Sequence, residues 1–243
     1  MPHEGRARIQ RSGRPQAELG QPILIGQAVK SVELALFGGP PAFASPLHVG
    51  QPNLGDRSRL QARIDDILDR AWYSNNGVYL QRFEERLAEF CGVRHAVAVT
   101  NATLGLQVAV RALRLTGEVV VPSQTFVATA HCLEWEGATP VFADIDPATH
   151  NLDPAAVERV ITSRTTALMP VHVWGRPCDV KRLQEVASRH RLHLLYDAAH
   201  ALGSSCAGTP VGRFGEASIL SFHATKMVNS FEGGAILTDQ DAL

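Results

Sequence analysis

LHLLYDAAHALG (residues 192–203) and SFHATKMVNSFEGGA (221–235) carry the two groups on which the reading of this chain turns. The first is an apolar run that ends on Asp197, and the second sets Lys226 between an apolar run and a Glu-Gly-Gly turn. A short, continuous apolar run bounded by polar residues is the pattern of a strand buried on both faces.

The same pattern repeats outward from this point. HAVAVT, EVVVP, TPVFADI, TALMPVHV, LHLLYD, ASILSFH and GGAILTD make seven apolar runs from His95 onward. They alternate with segments of helical spacing: TLGLQVAVRALRL, FVATAHCLEWEG, PAAVERVI and DVKRLQEVASRH. Such alternation predicts an α/β fold, a mostly parallel seven-stranded sheet with helices on both faces and ligands at the carboxyl ends of the strands. Only the ATKMVNSFE loop separates the last two runs, too little for a helical crossover, so the last strand is expected to be antiparallel. Upstream, RSRLQARIDDILDRAW and QRFEERLAEFCG have helical spacing, while residues 1–32 have little hydrophobic periodicity. The expected divisions are therefore a poorly ordered extension (1–32), an arm with helices (33–94) and a ligand-binding large domain (95–243).

Asp197 and Lys226 are a pair that suits pyridoxal 5'-phosphate (PLP). That cofactor works as an electron sink while its ring nitrogen is protonated, which a neighbouring carboxylate favours. Its aldehyde is held by an amine as a Schiff base, and the freed amine then carries protons. Each residue also has a plainer reading. Asp197 can cap a following helix, and most lysines are solvated. Ser221 can donate to a phosphate or cap its own backbone. After HAVAVT, the Ala102 backbone and Thr103 open a helix whose free N–H groups suit a phosphate, unless Thr103 is an ordinary N-cap. Phe126 can stack on a pyridine ring or sit in the core. His200 can pack on that ring or be structural. His172 and Trp174 in PVHVWG are candidates for the substrate pocket.

Composition narrows the partners. Twenty-three Lys and Arg against 24 Asp and Glu give a net charge of −1, without the footprint of a nucleic-acid or anionic-membrane binder. PILIGQAV is too short to span a bilayer, and no exported leader is read. Cys91, Cys132, Cys178 and Cys206 form no CxxC pair, which fits a reducing cytoplasm and predicts no zinc site. His190 and His193 lack a third ligand, so no metal is expected. Neither GxGxxG after the first run nor GxxxxGK[ST] is present.

Together, TNATLGL, VPSQTFVATAHCLEWEGATPVFADIDPATHNLDP, PVHVWGRP, LLYDAAHALG, VGRFG and SFHATKMVNSFEGGAIL resemble the DegT/DnrJ/EryC1/StrS family of PLP-dependent sugar aminotransferases. The resemblance implies the fold-type-I architecture: a large domain, a smaller C-terminal domain and a homodimer with active sites at the interface. It makes Lys226 the Schiff-base lysine and Asp197 the pyridinium partner. Phe126 becomes the stacking aromatic, with Ala102, Thr103 and Ser221 holding the phosphate. His200 stands where many members carry glutamine, and SNNGVY (74–79) matches a segment near the substrate, making Asn76 and Gly77 candidates there. The implied reaction moves an amino group from glutamate or glutamine to a keto sugar, typically nucleotide-linked. Relatives continue past the position of Leu243, so the small domain is expected to be missing. The alternative is a non-catalytic protein that uses the fold for binding or regulation.

Overall fold

The computed structural model describes residues 34–45 and 52–243. The extension expected at 1–32 lies outside the described residues. The chain separates into two units, Met1–Leu47 and His48–Leu243. In the first, Ala35–Phe37 form one 3-10 turn, ended by Gly38 at φ 100°.

The second unit opens with α1 (Arg57–Arg70) and α2 (Val78–Cys91). The Asp56 carboxylate accepts the N–H groups of Ser58 and Arg59 and so starts α1. Then follow β1 (His95–Val99), α3 (Ala102–Ala112), β2 (Glu118–Pro122), α4 (Ala128–Trp135), β3 (Thr139–Ala143), α5 (Pro154–Val160) and β4 (Thr165–Leu168). The chain continues through α6 (Val180–His190), β5 (His193–Asp197), a ribbon of β6 (Ser205–Cys206) and β7 (Thr209–Pro210), β8 (Ala217–Ser221) and β9 (Gly234–Thr238).

Seven strands form one sheet in the order β1-β9-β8-β5-β4-β2-β3. β3, β2, β4, β5 and β8 pair in parallel, joined by helical or long connections. β9 is antiparallel to both β1 and β8. A parallel return would need a crossover of a dozen or more residues, usually a helix; the segment between β8 and β9 holds no helix, and the strand turns back on itself.

The sheet is buried on both faces because successive side chains point to opposite sides. Val119 and Val121 of β2 pack with Leu106, Ala109 and Val110 of α3 and Cys132 and Leu133 of α4. Val120, between them in sequence, packs on the other face with Val157 of α5 and Leu183, Val186 and Ala187 of α6. A third cluster joins Leu87 and Cys91 of α2 to Leu220, Ala235 and Leu237. These layers leave the carboxyl ends of the parallel strands to be finished by loops. Among the described residues no helix is long and apolar enough to cross a membrane.

Candidate functional site

At that end of the sheet a cavity of about 490 Å³ is lined by Ala102, Thr103, Phe126, Asp197, His200, Ser221 and Lys226. Strands distant in sequence bring these residues together. β5 ends on Asp197 and β8 on Ser221, while the loop from β8 to β9 carries Lys226.

The floor of the cavity is the start of α3. Asn101, not Thr103, is the N-cap: its side chain accepts the N–H of Leu104 at 2.9 Å, and its carbonyl accepts that of Gly105 at 3.1 Å. Among the described residues no acceptor meets the N–H groups of Ala102 and Thr103, so two donors remain at the positive end of the helix dipole. β9 begins here with Gly234, paired to Val99 on one side and Ser221 on the other. A Cβ on Gly234 would lie 2.6 Å from both the Ala102 nitrogen and the Asn101 carbonyl carbon. The close approach of strand and helix therefore depends on that residue having no side chain. Ser221 Oγ accepts the N–H of His223 at 3.3 Å, which leaves its own proton free to donate.

Asp197 is 4 % exposed. One carboxylate oxygen accepts the Thr129 hydroxyl at 2.7 Å and the other the N–H of Ala199 at 3.1 Å. The segment after it forms turns rather than a helix, so the plain helix-capping role does not apply. Phe126 is 69 % exposed and lies against the cavity instead of in the core.

Lys226 is half-buried, and burial lowers its ammonium pKa, opposed by the charge of Asp197. A larger share of free amine follows, which suits a nucleophile. His200 is likewise lowered, first by burial and then by Lys226, with Asp197 acting against both. Around the lysine, the Lys226 N–H bonds the His223 carbonyl at 2.8 Å and His223 Nε2 lies 3.3 Å from Glu232. Cys132, also near Asp197, is not a competing nucleophile, because burial and then the aspartate charge push its thiol up to about 12.

These groups fit PLP: a flat aromatic, a buried carboxylate, a partly desolvated amine and an anion cradle that a Cβ would fill. Thr125, His223, Thr225 and Glu232 also line the cavity, and Thr129 lies behind it; none was singled out from the sequence.

Four expected substrate contacts lie elsewhere. His172 is wholly buried, its ring stacked on Tyr196 at 4.7 Å and 7°, its Nδ1 accepting the N–H of Cys178 at 3.0 Å. Burial lowers its pKa to about 4, so it is neutral. Alternation along the chain after β4 gives the cavity wall to Val171 and turns His172 to the opposite side. Trp174 is 70 % exposed at φ 52°, its ring 5.2 Å from that of His150, and does not line this cavity. Asn76 and Gly77 line a different cavity of about 520 Å³ with Trp72 and Tyr73.

Residues 55–243 match the DegT/DnrJ/EryC1/StrS aminotransferase family. A dTDP-4-amino-4,6-dideoxy-D-glucose transaminase from Shigella dysenteriae is 44% identical over 79% of this chain and 52% of its own length. A GDP-perosamine synthase from Caulobacter vibrioides is 42% identical over 81% of this chain and 53% of its own. The solved structure of DesI with its TDP-sugar product superposes with a TM-score of 0.82 at 57% identity, over 86% of this chain and 54% of that one. The chain spans about half the length of the curated relatives it matches. With the match running from ahead of α1 through β9, the chain belongs to the DegT/DnrJ/EryC1/StrS aminotransferase family.

Proposed function

We propose that the protein acts with PLP as an aminotransferase, moving an amino group from glutamate or glutamine to a keto sugar carried on a nucleotide. The observation that carries this reading is the meeting of Lys226, Asp197, Ser221 and the free N–H groups of Ala102 and Thr103 at one cavity. The nucleotide-sugar part draws on the relatives, whose names specify dTDP- and GDP-linked amino sugars.

When bound, PLP would supply an electron sink that stabilises a carbanion at the donor or acceptor carbon. The chain's own groups do the rest. Ala102 N–H, Thr103 N–H and the Ser221 hydroxyl would hold the phosphate, Phe126 would pack on the ring and Asp197 would favour a protonated ring nitrogen. Lys226 Nζ would hold the cofactor's aldehyde and, as a partly desolvated amine, would serve as the group that moves a proton at the reacting carbon. His200 bounds the cavity beside Asp197. This set of complementary groups favours catalysis over a purely binding role.

Residues 95–243 act in this reading as the cofactor-binding domain, preceded by an arm with helices at 33–94. Asn76, Gly77 and Trp174 contact substrate outside the cofactor cavity. The protein works as a cytoplasmic homodimer. Free Cys91, Cys132 and Cys178, all buried, fit a reducing compartment, and exposed Leu104, Val108, Phe126 and Val127 offer an apolar surface to a second copy.

Mixing the purified chain with PLP is expected to produce a visible absorbance band and an adduct that borohydride traps on Lys226. Adding glutamate or glutamine is then expected to bleach the band. A chain that forms no adduct with PLP would refute the cofactor assignment. A band indifferent to both donors would refute the transamination.

A further inference from the structure

We propose that Thr129, backed by Thr125, is a positioning residue that fixes the Asp197 carboxylate and aims it into the cavity, where it would keep the ring nitrogen of bound PLP protonated. The inference rests on the PLP reading above and adds to it a second layer of residues behind the aspartate.

Thr129 sits in the first turn of α4 and is wholly buried. Its hydroxyl donates to Asp197 Oδ2 at 2.7 Å. A hydroxyl has one proton. With that proton committed to the carboxylate, the 2.7 Å contact between Thr125 Oγ1 and Thr129 Oγ1 is necessarily donated by Thr125. The two hydroxyls thus form a one-way chain, from the cavity wall at Thr125 through the buried Thr129 to the aspartate. Each donor in such a chain polarises the next, and the last fixes the orientation of its acceptor.

The other aspartate oxygen accepts the N–H of Ala199 at 3.1 Å. Both oxygens are therefore met by groups that donate, and the carboxylate plane is fixed from two sides. Oxygen lone pairs not used by these bonds are left for a donor in the cavity, which is what a protonated pyridine nitrogen provides. Lys226 and His200 face the same carboxylate from the cavity, and Cys132 and Cys178 lie near it within the fold. Among the described residues none of these four is hydrogen-bonded to Asp197, and Thr129 is the one side chain that is. A threonine serving only the packing of α4 would affect stability without affecting the charge on the ring nitrogen.

The test loads the full chain with PLP labelled with nitrogen-15 in the ring and compares wild type with Thr129→Val, Thr129→Ser and Thr125→Val. The ring-nitrogen chemical shift, the PLP dissociation constant and the melting of the unloaded proteins are measured. Thr129→Val is expected to shift the nitrogen signal toward unprotonated pyridine and to weaken PLP binding roughly ten-fold, the loss of one hydrogen bond to a charged group. Thr129→Ser is expected to restore both, and Thr125→Val to shift the signal the same way by less. A folded Thr129→Val protein with wild-type signal and affinity overturns the inference, as does a Thr129→Ser protein that behaves like the valine variant. If the valine at 129 prevents cooperative melting, Thr125→Val decides, and an unmoved signal there is equally fatal. A wild type that takes up no PLP overturns this inference together with the reading beneath it; a loaded wild type with indifferent variants overturns this inference alone.

Discussion

The ammonium of Lys226 is held partly out of water, and this has a thermodynamic signature even without cofactor. Its folded pKa lies below the ordinary lysine value of 10.5, with burial as the leading cause. The folded state therefore binds its proton less tightly than the unfolded state does. That cost is present at neutral pH and disappears as pH rises through the folded pKa and past the unfolded one. Lys226→Met is accordingly expected to melt higher than wild type at pH 7 without PLP, with the gap closing toward pH 10.5, measured by calorimetry across pH. A variant that melts lower than wild type at pH 7 would contradict this. Asp197 and Lys226 were legible in the sequence because each stands where an apolar run stops, and strand ends converge in an α/β sheet. His172 also stands near a strand end, yet it is wholly buried. Being near a strand end says which edge of the sheet a residue occupies, but alternation says which face, and Pro170 obscured the count. Thr129 escaped notice because a threonine inside a helical segment has no signature until its partner, 68 residues away, is known.

Between elements, the decisive contact is β9 against the start of α3. Gly234→Ala would force a methyl to within 2.6 Å of two backbone atoms, and backbone yields less readily than a side chain. The expected cost is about 1–3 kcal/mol of stability, the usual range for overpacking, read from the urea midpoint. PLP binding should weaken as well, because the displaced atoms include the Ala102 N–H. An alanine variant with unchanged midpoint and affinity would show that the helix start relaxes freely. The antiparallel course of β9 was readable from loop length alone. That Asn101 rather than Thr103 caps α3 was not, since both residue types cap helices and the outcome rests on which backbone turns first. The turns after Asp197 were also hidden, because DAAHALG is rich in good helix formers and tertiary contacts override that propensity.

Across the whole second unit, two packed layers share one sheet. Leu133 on α4 and Leu183 on α6 are both fully buried, on opposite faces. Leu133→Ala and Leu183→Ala are each expected to cost about 2–5 kcal/mol. If the layers fold as one, both variants lower a single calorimetric transition; a separate early transition in either would mean that the layers unfold independently. The seven runs told where the strands lie, since continuous apolar character follows from burial on two sides. Their spatial order was not written in any one of them.

That order has a temporal side. β1 bonds to the sheet through β9, its partner from the far end of the unit, so residues near 95 wait for residues near 238. Contacts this distant in sequence close late and slow the folding of a chain. On a ribosome the first strand would leave the tunnel well before its sheet neighbour β9 had been synthesised. The Ala102 and Thr103 amides, Gly234 and Ser221 come into register when that last strand slots in. Capacity to grip a phosphate should thus emerge at the end of folding, and phosphate protection during refolding would serve as a clock for the final step.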